Sequence, residues 1–135
     1  IAKDIEINSN GLSHPIYKNK KLSFNTPAFN FDEVVTLPDS ATLLASNQIN
    51  KVQGIEFQTG VSRIWGIQYH PEITYEKMIS LINFRRDRLI NFRKVFKKES
   101  DIDIHIENIK QEIQNTNKDT RMQELKNWLH HINEN

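Results

Sequence analysis

His70 and Glu72 stand two residues apart around Pro71, directly after the apolar run Ile64-Trp65-Gly66-Ile67 and the polar-aromatic pair Gln68-Tyr69. If that run is a buried strand continuing into Glu72, side-chain alternation puts the imidazole and the carboxylate on one face, with Cα atoms roughly 6.6 Å apart. The pairing suits a base and its orienter. In nucleophilic catalysis an imidazole takes the proton of the attacking group, while a carboxylate holds its tautomer and stabilises the imidazolium. The chain has no cysteine, so a thiol nucleophile for such a pair would have to come from elsewhere.

The elements that would carry the pair are legible in the period of the apolar residues. Asp4-Ile5-Glu6-Ile7-Asn8 alternates and is followed by Ser9-Asn10-Gly11, which reads as a short strand ending in a turn. His14-Pro15-Ile16-Tyr17 with Lys18 to Lys21 reads as a surface loop, leading to a strand around Leu22 to Phe31 that Pro27 confines to an edge or a break. Val34-Val35 and Leu37-Pro38-Asp39-Ser40 suggest a turn. Thr42 to Ala45 and Val52 to Gln58 are further strands, and Thr59-Gly60 is a hairpin-like break before a strand over Arg63 to Gln68.

After Glu72 the period lengthens. Met78, Ile82, Leu89, Phe92 and Phe96 fall near one helical face, with Phe84, Phe92 and Phe96 expected as core-facing anchors. Ile102, Ile106, Ile109 and Ile113 define a second helix with Ser100 as its N-cap. Asn115-Thr116-Asn117 separates it from a third, where Thr120 to Gln123 fits a capping box ahead of Met122, Leu125, Leu129 and Ile132. The third helix, with Met122, Leu125, Trp128 and Leu129 on a largely shared face, is expected to dock on the preceding helices and bury Trp128.

The succession Phe31-Asp32-Glu33-Val34-Val35-Thr36-Leu37-Pro38, Ala41-Thr42-Leu43-Leu44-Ala45-Ser46, then Trp65 to Glu72 resembles class I glutamine amidotransferases. Nearest are proteins related to the glutaminase domain of GMP synthase, over about Asp4 to Glu72. The flanking pattern carries this resemblance, because His-Pro-Glu alone is a weak signal. It implies an α/β fold: the C-terminal portion of the family's mixed-sheet domain over residues 1–98, with a helical C-terminal extension over 99–135. It also implies a Cys-His-Glu triad in which His70 and Glu72 are the second and third members, and hydrolysis of the glutamine side-chain amide to glutamate and ammonia. The nucleophile turn is then expected roughly twenty to thirty residues upstream of Ile1. Ile1 is not an initiator methionine, which fits a missing N-terminal segment, and the isolated chain is expected to be inactive and poorly soluble.

The partners that the resemblance implies are glutamine, the segment bearing the cysteine, and a synthase domain or subunit that accepts the ammonia, with no cofactor. Two alternatives stay open: a γ-glutamyl hydrolase or peptidase, and a non-catalytic homologue acting as a binding partner. Where the family often has a histidine two positions before Asp32, this chain has Asn30, which puts an acceptor-side role there in doubt.

The remaining chemistry-bearing residues read as structural. Asp32 and Glu33 beside a turn are expected to be surface groups, His14-Pro15 a loop marker, and the basic run Arg85, Arg86, Arg88, Arg93, Lys94, Lys97 and Lys98 a solvated helix face. His105, His130 and His131 lack a neighbouring cysteine or carboxylate cluster, so no metal site is expected. A net charge of +1 from 18 basic and 17 acidic residues gives no case for nucleic-acid binding. Four glycines and no glycine-rich phosphate loop argue against a nucleotide site of that type. No apolar run approaches a membrane span, and a cytoplasmic location is the default expectation.

Overall fold

The computed structural model describes residues 1–134. The chain divides into two compact units, Ile1–Glu72 with Lys118–Asn135, and Ile73–Asn117. The first is built on a five-stranded sheet of order β2-β1-β3-β4-β5, formed by β1 (Ala2–Ile7), β2 (Ser23–Thr26), β3 (Thr42–Ser46), β4 (Gly54–Thr59) and β5 (Ser62–Ile67). Each of the four neighbouring pairs is antiparallel. The chain is therefore α/β, and where the resemblance implies a mixed sheet, the described pairings are antiparallel throughout.

Strand alternation selects the core. Ala2, Ile5 and Ile7 of β1 are buried, as are Phe24 of β2 and Leu44 and Ala45 of β3, and they pack with Ile16, Tyr17 and Tyr69. β2 is an edge strand that ends before Pro27; a residue without an N–H cannot continue a ladder. The β4–β5 hairpin turns through Gly60, whose φ of +57° is a conformation only glycine adopts without strain. At the start of β4, Gly54 lies so close beneath the Tyr17 hydroxyl that any Cβ there would collide with it.

Several expectations are corrected by this structure. Ser9-Asn10-Gly11 is not a turn but opens a short helix, α1 (Ser9–Ser13), because Asn8 Oδ1 caps it by accepting from Gly11 N at 2.9 Å. The stretch from His14 to Tyr17 is not a surface loop. It contains a 3₁₀ turn over Pro15–Tyr17, and His14, Ile16 and Tyr17 are all buried. The apolar spacing Pro15-Ile16-Tyr17 is too short to display a period, so only the packing reveals its burial.

In the second unit, α2 (Tyr75–Phe84) is capped by Thr74, whose hydroxyl accepts from Lys77 N at 3.1 Å. The expected long helix stops there, and a separate π-helical turn follows over Arg88–Phe92. Phe84 and Phe92 are 87% and 76% exposed, so they are not core anchors; Phe84 falls on the face of α2 away from the buried Met78 and Ile82, and Phe92 lies beyond the end of that helix. α3 (Glu99–Asn115) buries Ile102, Ile106 and Ile109 and begins one residue before Ser100. Asp101 holds that end by accepting from the backbone N–H groups of Lys97 and Lys98 at 3.1 and 3.3 Å. Arg86 forks onto Glu99 and Asp103, at 2.7 Å each.

The last segment returns to the sheet unit as α4 (Lys118–Arg121) and α5 (Gln123–Glu134). α5 packs on the Pro15–Tyr17 turn through a polar face, since Asn127 Nδ2 donates to Ile16 O and Lys18 O at 2.8 Å each. Trp128 is 46% exposed, contrary to the expectation that docking buries it, and Leu129 and Ile132 are also exposed. The helix turns Glu124, not its apolar stripe, toward the protein. Among the described residues no helix is long and apolar enough to cross a membrane.

Candidate functional site

β5 ends at Ile67, three residues before His70, so the histidine and glutamate are not placed by strand alternation. Pro71 offers no N–H and fixes its own φ, which turns the chain, and its side chain is fully buried. Across this turn His70 Nδ1 and Glu72 Oε1 lie 2.8 Å apart, with side chains 40% and 53% exposed. The sequence-derived pair therefore meets, through a turn instead of a strand. Nδ1 engaged with a carboxylate leaves Nε2 as the imidazole nitrogen that can face a reacting group.

Two backbone anchors and one side chain set the turn. His70 N donates to Pro27 O at 2.8 Å, and Gln68 N donates to Gln53 O at 3.0 Å. The guanidinium of Arg121, a buried residue at the end of α4, donates to Pro71 O. Phe29 approaches the imidazole with ring centroids 6.2 Å apart.

Behind Tyr69, the residue before His70, lies a buried polar cluster that sequence reasoning missed. The Tyr69 hydroxyl donates to Glu124 Oε1 at 2.7 Å and sits 3.2 Å from the Tyr17 hydroxyl. Lys20 Nζ donates to Glu124 Oε2 and Thr120 O, both at 2.8 Å, and lies 4.4 Å from the centre of the Phe24 ring. The side chains of Lys20 and Glu124 are 2% and 1% exposed. Burial lowers the Lys20 ammonium pKa, and the Glu124 carboxylate opposes that shift. Burial likewise raises both tyrosines above the ordinary phenol range, keeping them neutral. A lysine in a basic run and a glutamate in a polar helix, 104 residues apart, carry no local signal of each other.

A cavity of about 390 Å³ opens where β1 begins, β3 ends and β4 begins, lined by Ala2, Ala28, Asn30, Asp32, Glu33 and Gln53 among others. It shares a wall with the His70 turn, because segment 27–33 is pinned to it by Pro27 O and by Gln68 Nε2, which donates to Asp32 O at 3.3 Å. Gln53 is 1% exposed, and among the described residues its Oε1 accepts no hydrogen bond. Such an orphan acceptor is uncommon in folded proteins.

The other histidines are distributed as follows. His14 Nδ1 accepts from Ile16 N at 3.2 Å, so that nitrogen is committed to structure, while the buried Nε2 lies 3.3 Å from Glu56 Oε2 without the geometry of a hydrogen bond. His131 lies tilted against Trp65 with ring centroids 4.7 Å apart, and His14 meets the same ring edge-on at the same distance. His14, His130 and His131 line a second cavity of about 330 Å³. His105 lies against Phe96. Among the described residues no three His, Cys, Asp or Glu side chains are arranged to hold a metal ion.

No family model matches the chain. Curated proteins do. The chain is 38% identical over 73 residues to a γ-glutamyl-L-1-hydroxyisopropylamide hydrolase from a Pseudomonas species, a match covering 54% of this chain and 24% of that protein. It is 31% identical over 80 residues to one of the subunits of the glutamine-hydrolysing GMP synthase of Methanocaldococcus jannaschii, covering 59% of this chain and 38% of the relative. The chain thus spans well under half the length of the curated relatives it matches, and these homologues are a hydrolase and part of an amidotransferase.

Proposed function

We propose that this chain supplies the base and its orienter to a glutamine amidotransferase of class I, with His70 as the base, Glu72 as the orienter and a cysteine thiolate, on a segment outside this chain, as nucleophile. The intact protein then hydrolyses the side-chain amide of glutamine to glutamate and ammonia. The observation that carries this reading is the 2.8 Å contact between His70 Nδ1 and Glu72 Oε1 on an exposed turn, the geometry in which a carboxylate selects the tautomer that leaves Nε2 for a thiol. The reaction would run by thiolate attack on the carboxamide carbon, proton delivery from the imidazolium to the departing nitrogen, and hydrolysis of the thioester by water. The ammonia would pass to an acceptor held by another domain or protein, as the likeness to part of a synthase suggests.

A γ-glutamyl hydrolase is the second reading. It is favoured by the 38% identity to a protein named for that activity, and the two readings share every role assigned to His70 and Glu72. The test is reconstitution of the chain with the preceding segment of its parent protein, followed by assay of glutamate release from glutamine and from γ-glutamyl alkylamides. Activity that survives His70→Ala would reject the assigned base. A glycine or serine at the parent's nucleophile position would instead support the non-catalytic partner.

A further inference from the structure

The side chains of His70 and Glu72 are 40% and 53% exposed on their turn. An ion pair in that setting contributes little order of its own, so the direction of the imidazole has to be fixed by the backbone that carries it. Three consecutive residues form that backbone, and each is anchored from outside the turn. Tyr69 is held by its hydroxyl on Glu124, His70 by its N–H on Pro27 O, and Pro71 by its carbonyl, which accepts from Arg121.

Two of those anchors come from one short stretch of the C-terminal segment. Arg121 grips the residue after His70, and Glu124 grips the residue before it. Tyr69 and Pro71 are both buried, so water competes little for either contact. Lys20 Nζ ties the stretch together by donating to Thr120 O and to the second Glu124 oxygen. The side chains of Lys20 and Glu124 are 2% and 1% exposed, and parting them would strand a buried charge. Residues 120–124 therefore hold the turn as a unit, with the Tyr17 hydroxyl 3.2 Å from that of Tyr69 on the far side.

We infer that residues 120–124 are a positioning device for the base: Arg121 and Glu124 clamp the residues on either side of His70 and so fix where its imidazole points. Glu124 acts through Tyr69 and Arg121 through Pro71, and neither is given a role in the chemical step. The inference rests on the role of His70 proposed above and adds the residues that place it. Plain docking of α5 is the competing explanation, and Asn127 separates the two. It ties the same helix to Ile16 O and Lys18 O and makes no contact with Tyr69, His70 or Pro71 through those bonds.

The test compares Tyr69→Phe, Arg121→Met and Asn127→Ala in the chain reconstituted with the preceding segment of its parent protein, its histidine rings isotope-labelled for NMR. In the unaltered protein the His70 ring signals are expected to report one tautomer, with the proton on Nδ1 facing Glu72. Tyr69→Phe and Arg121→Met are expected to move both ring nitrogens toward the averaged signals of mixed tautomers. They should also lower kcat about tenfold and about a hundredfold, with KM within about twofold, the range that a misplaced group costs. Arg121→Lys, which restores a donor, is expected to recover part of the loss. Asn127→Ala is expected to lower Tm and to leave the His70 signals and kcat where they were. His70 signals unmoved by Tyr69→Phe and Arg121→Met, or moved as far by Asn127→Ala, would overturn the inference. If Arg121→Met fails to fold, Tyr69→Phe, which removes a single oxygen, decides alone. A reconstituted protein that hydrolyses no γ-glutamyl substrate would remove the proposed function, while the ring signals would still decide whether residues 120–124 set the orientation of His70.

Discussion

At the residue scale the division of labour between two histidines is set by what occupies their nitrogens. His70 commits Nδ1 to Glu72 on a side chain that is 40% exposed, which leaves Nε2 for a reacting group, whereas the buried His14 commits Nδ1 to a backbone cap and has Nε2 beside Glu56. In a reconstituted enzyme His70→Ala is expected to lower kcat by about three orders of magnitude or more, as loss of a triad base does elsewhere, and Glu72→Gln by less. Steady-state kinetics with unchanged thermal unfolding would check both. His14 predicts a pH dependence. Burial is the largest influence and lowers its pKa; Glu56 opposes this, while Arg63 and His131 add to it. The unfolded chain therefore binds a proton more readily than the folded one, so stability is full above about pH 6.5 and falls as pH drops toward the folded value. Replacing His14 by Asn, whose Oδ1 can take over the cap, is expected to flatten that acid limb in urea titrations between about pH 7 and pH 5. An unchanged slope would count against it.

At the element scale the question is what holds α5 on the sheet unit. Its apolar residues Trp128, Leu129 and Ile132 remain about half exposed, while Glu124 is sealed against Lys20 and Tyr69. Breaking a buried ion pair by removing one partner leaves an uncompensated charge and costs about 3–5 kcal/mol. Glu124→Ala is thus expected to lower Tm far more than Trp128→Ala, whose cost should stay near about 1 kcal/mol. The reverse order in calorimetry would show that the apolar stripe docks after all. α4 adds a second link, because Arg121 donates to the carbonyl of Pro71 between His70 and Glu72. Arg121→Ala is expected to lower kcat in the reconstituted enzyme with KM little changed, the signature of a mispositioned base.

At the scale of the whole molecule, residues 118–134 complete the unit that contains the strands, while 73–117 form a unit of their own. Truncation after Asn117 would strip Lys20 of Glu124 and Pro71 of Arg121 together. The shortened chain is expected to lose cooperative unfolding of the sheet unit, which circular dichroism melts would report. β5 pairs with β4 on one side and forms the other edge of the described sheet, and exposed edges invite association. The chain alone is expected to self-associate with rising concentration in sedimentation velocity and to turn over no glutamine, having no cysteine.

The period-two runs of the first half and the four-three-four spacing of the isoleucines after Glu72 were enough to find the five strands within a few residues and to find α3, because those patterns record which side of each element meets the core. His70 and Glu72 were visible as a pair for a similar reason: their relation is local, two residues across a proline. What lay beyond the sequence was every contact made at long range. No residue near Lys20 announces Glu124, nothing beside Pro71 announces Arg121, and the burial of Gln53 depends on several strand ends converging around it. The direction in which α5 faces was misread on the same ground. Its amphipathic stripe predicts a buried Trp128, but the buried partners of Glu124, the Lys20 ammonium and the Tyr69 hydroxyl, both far away in sequence, decided which side of the helix turned inward.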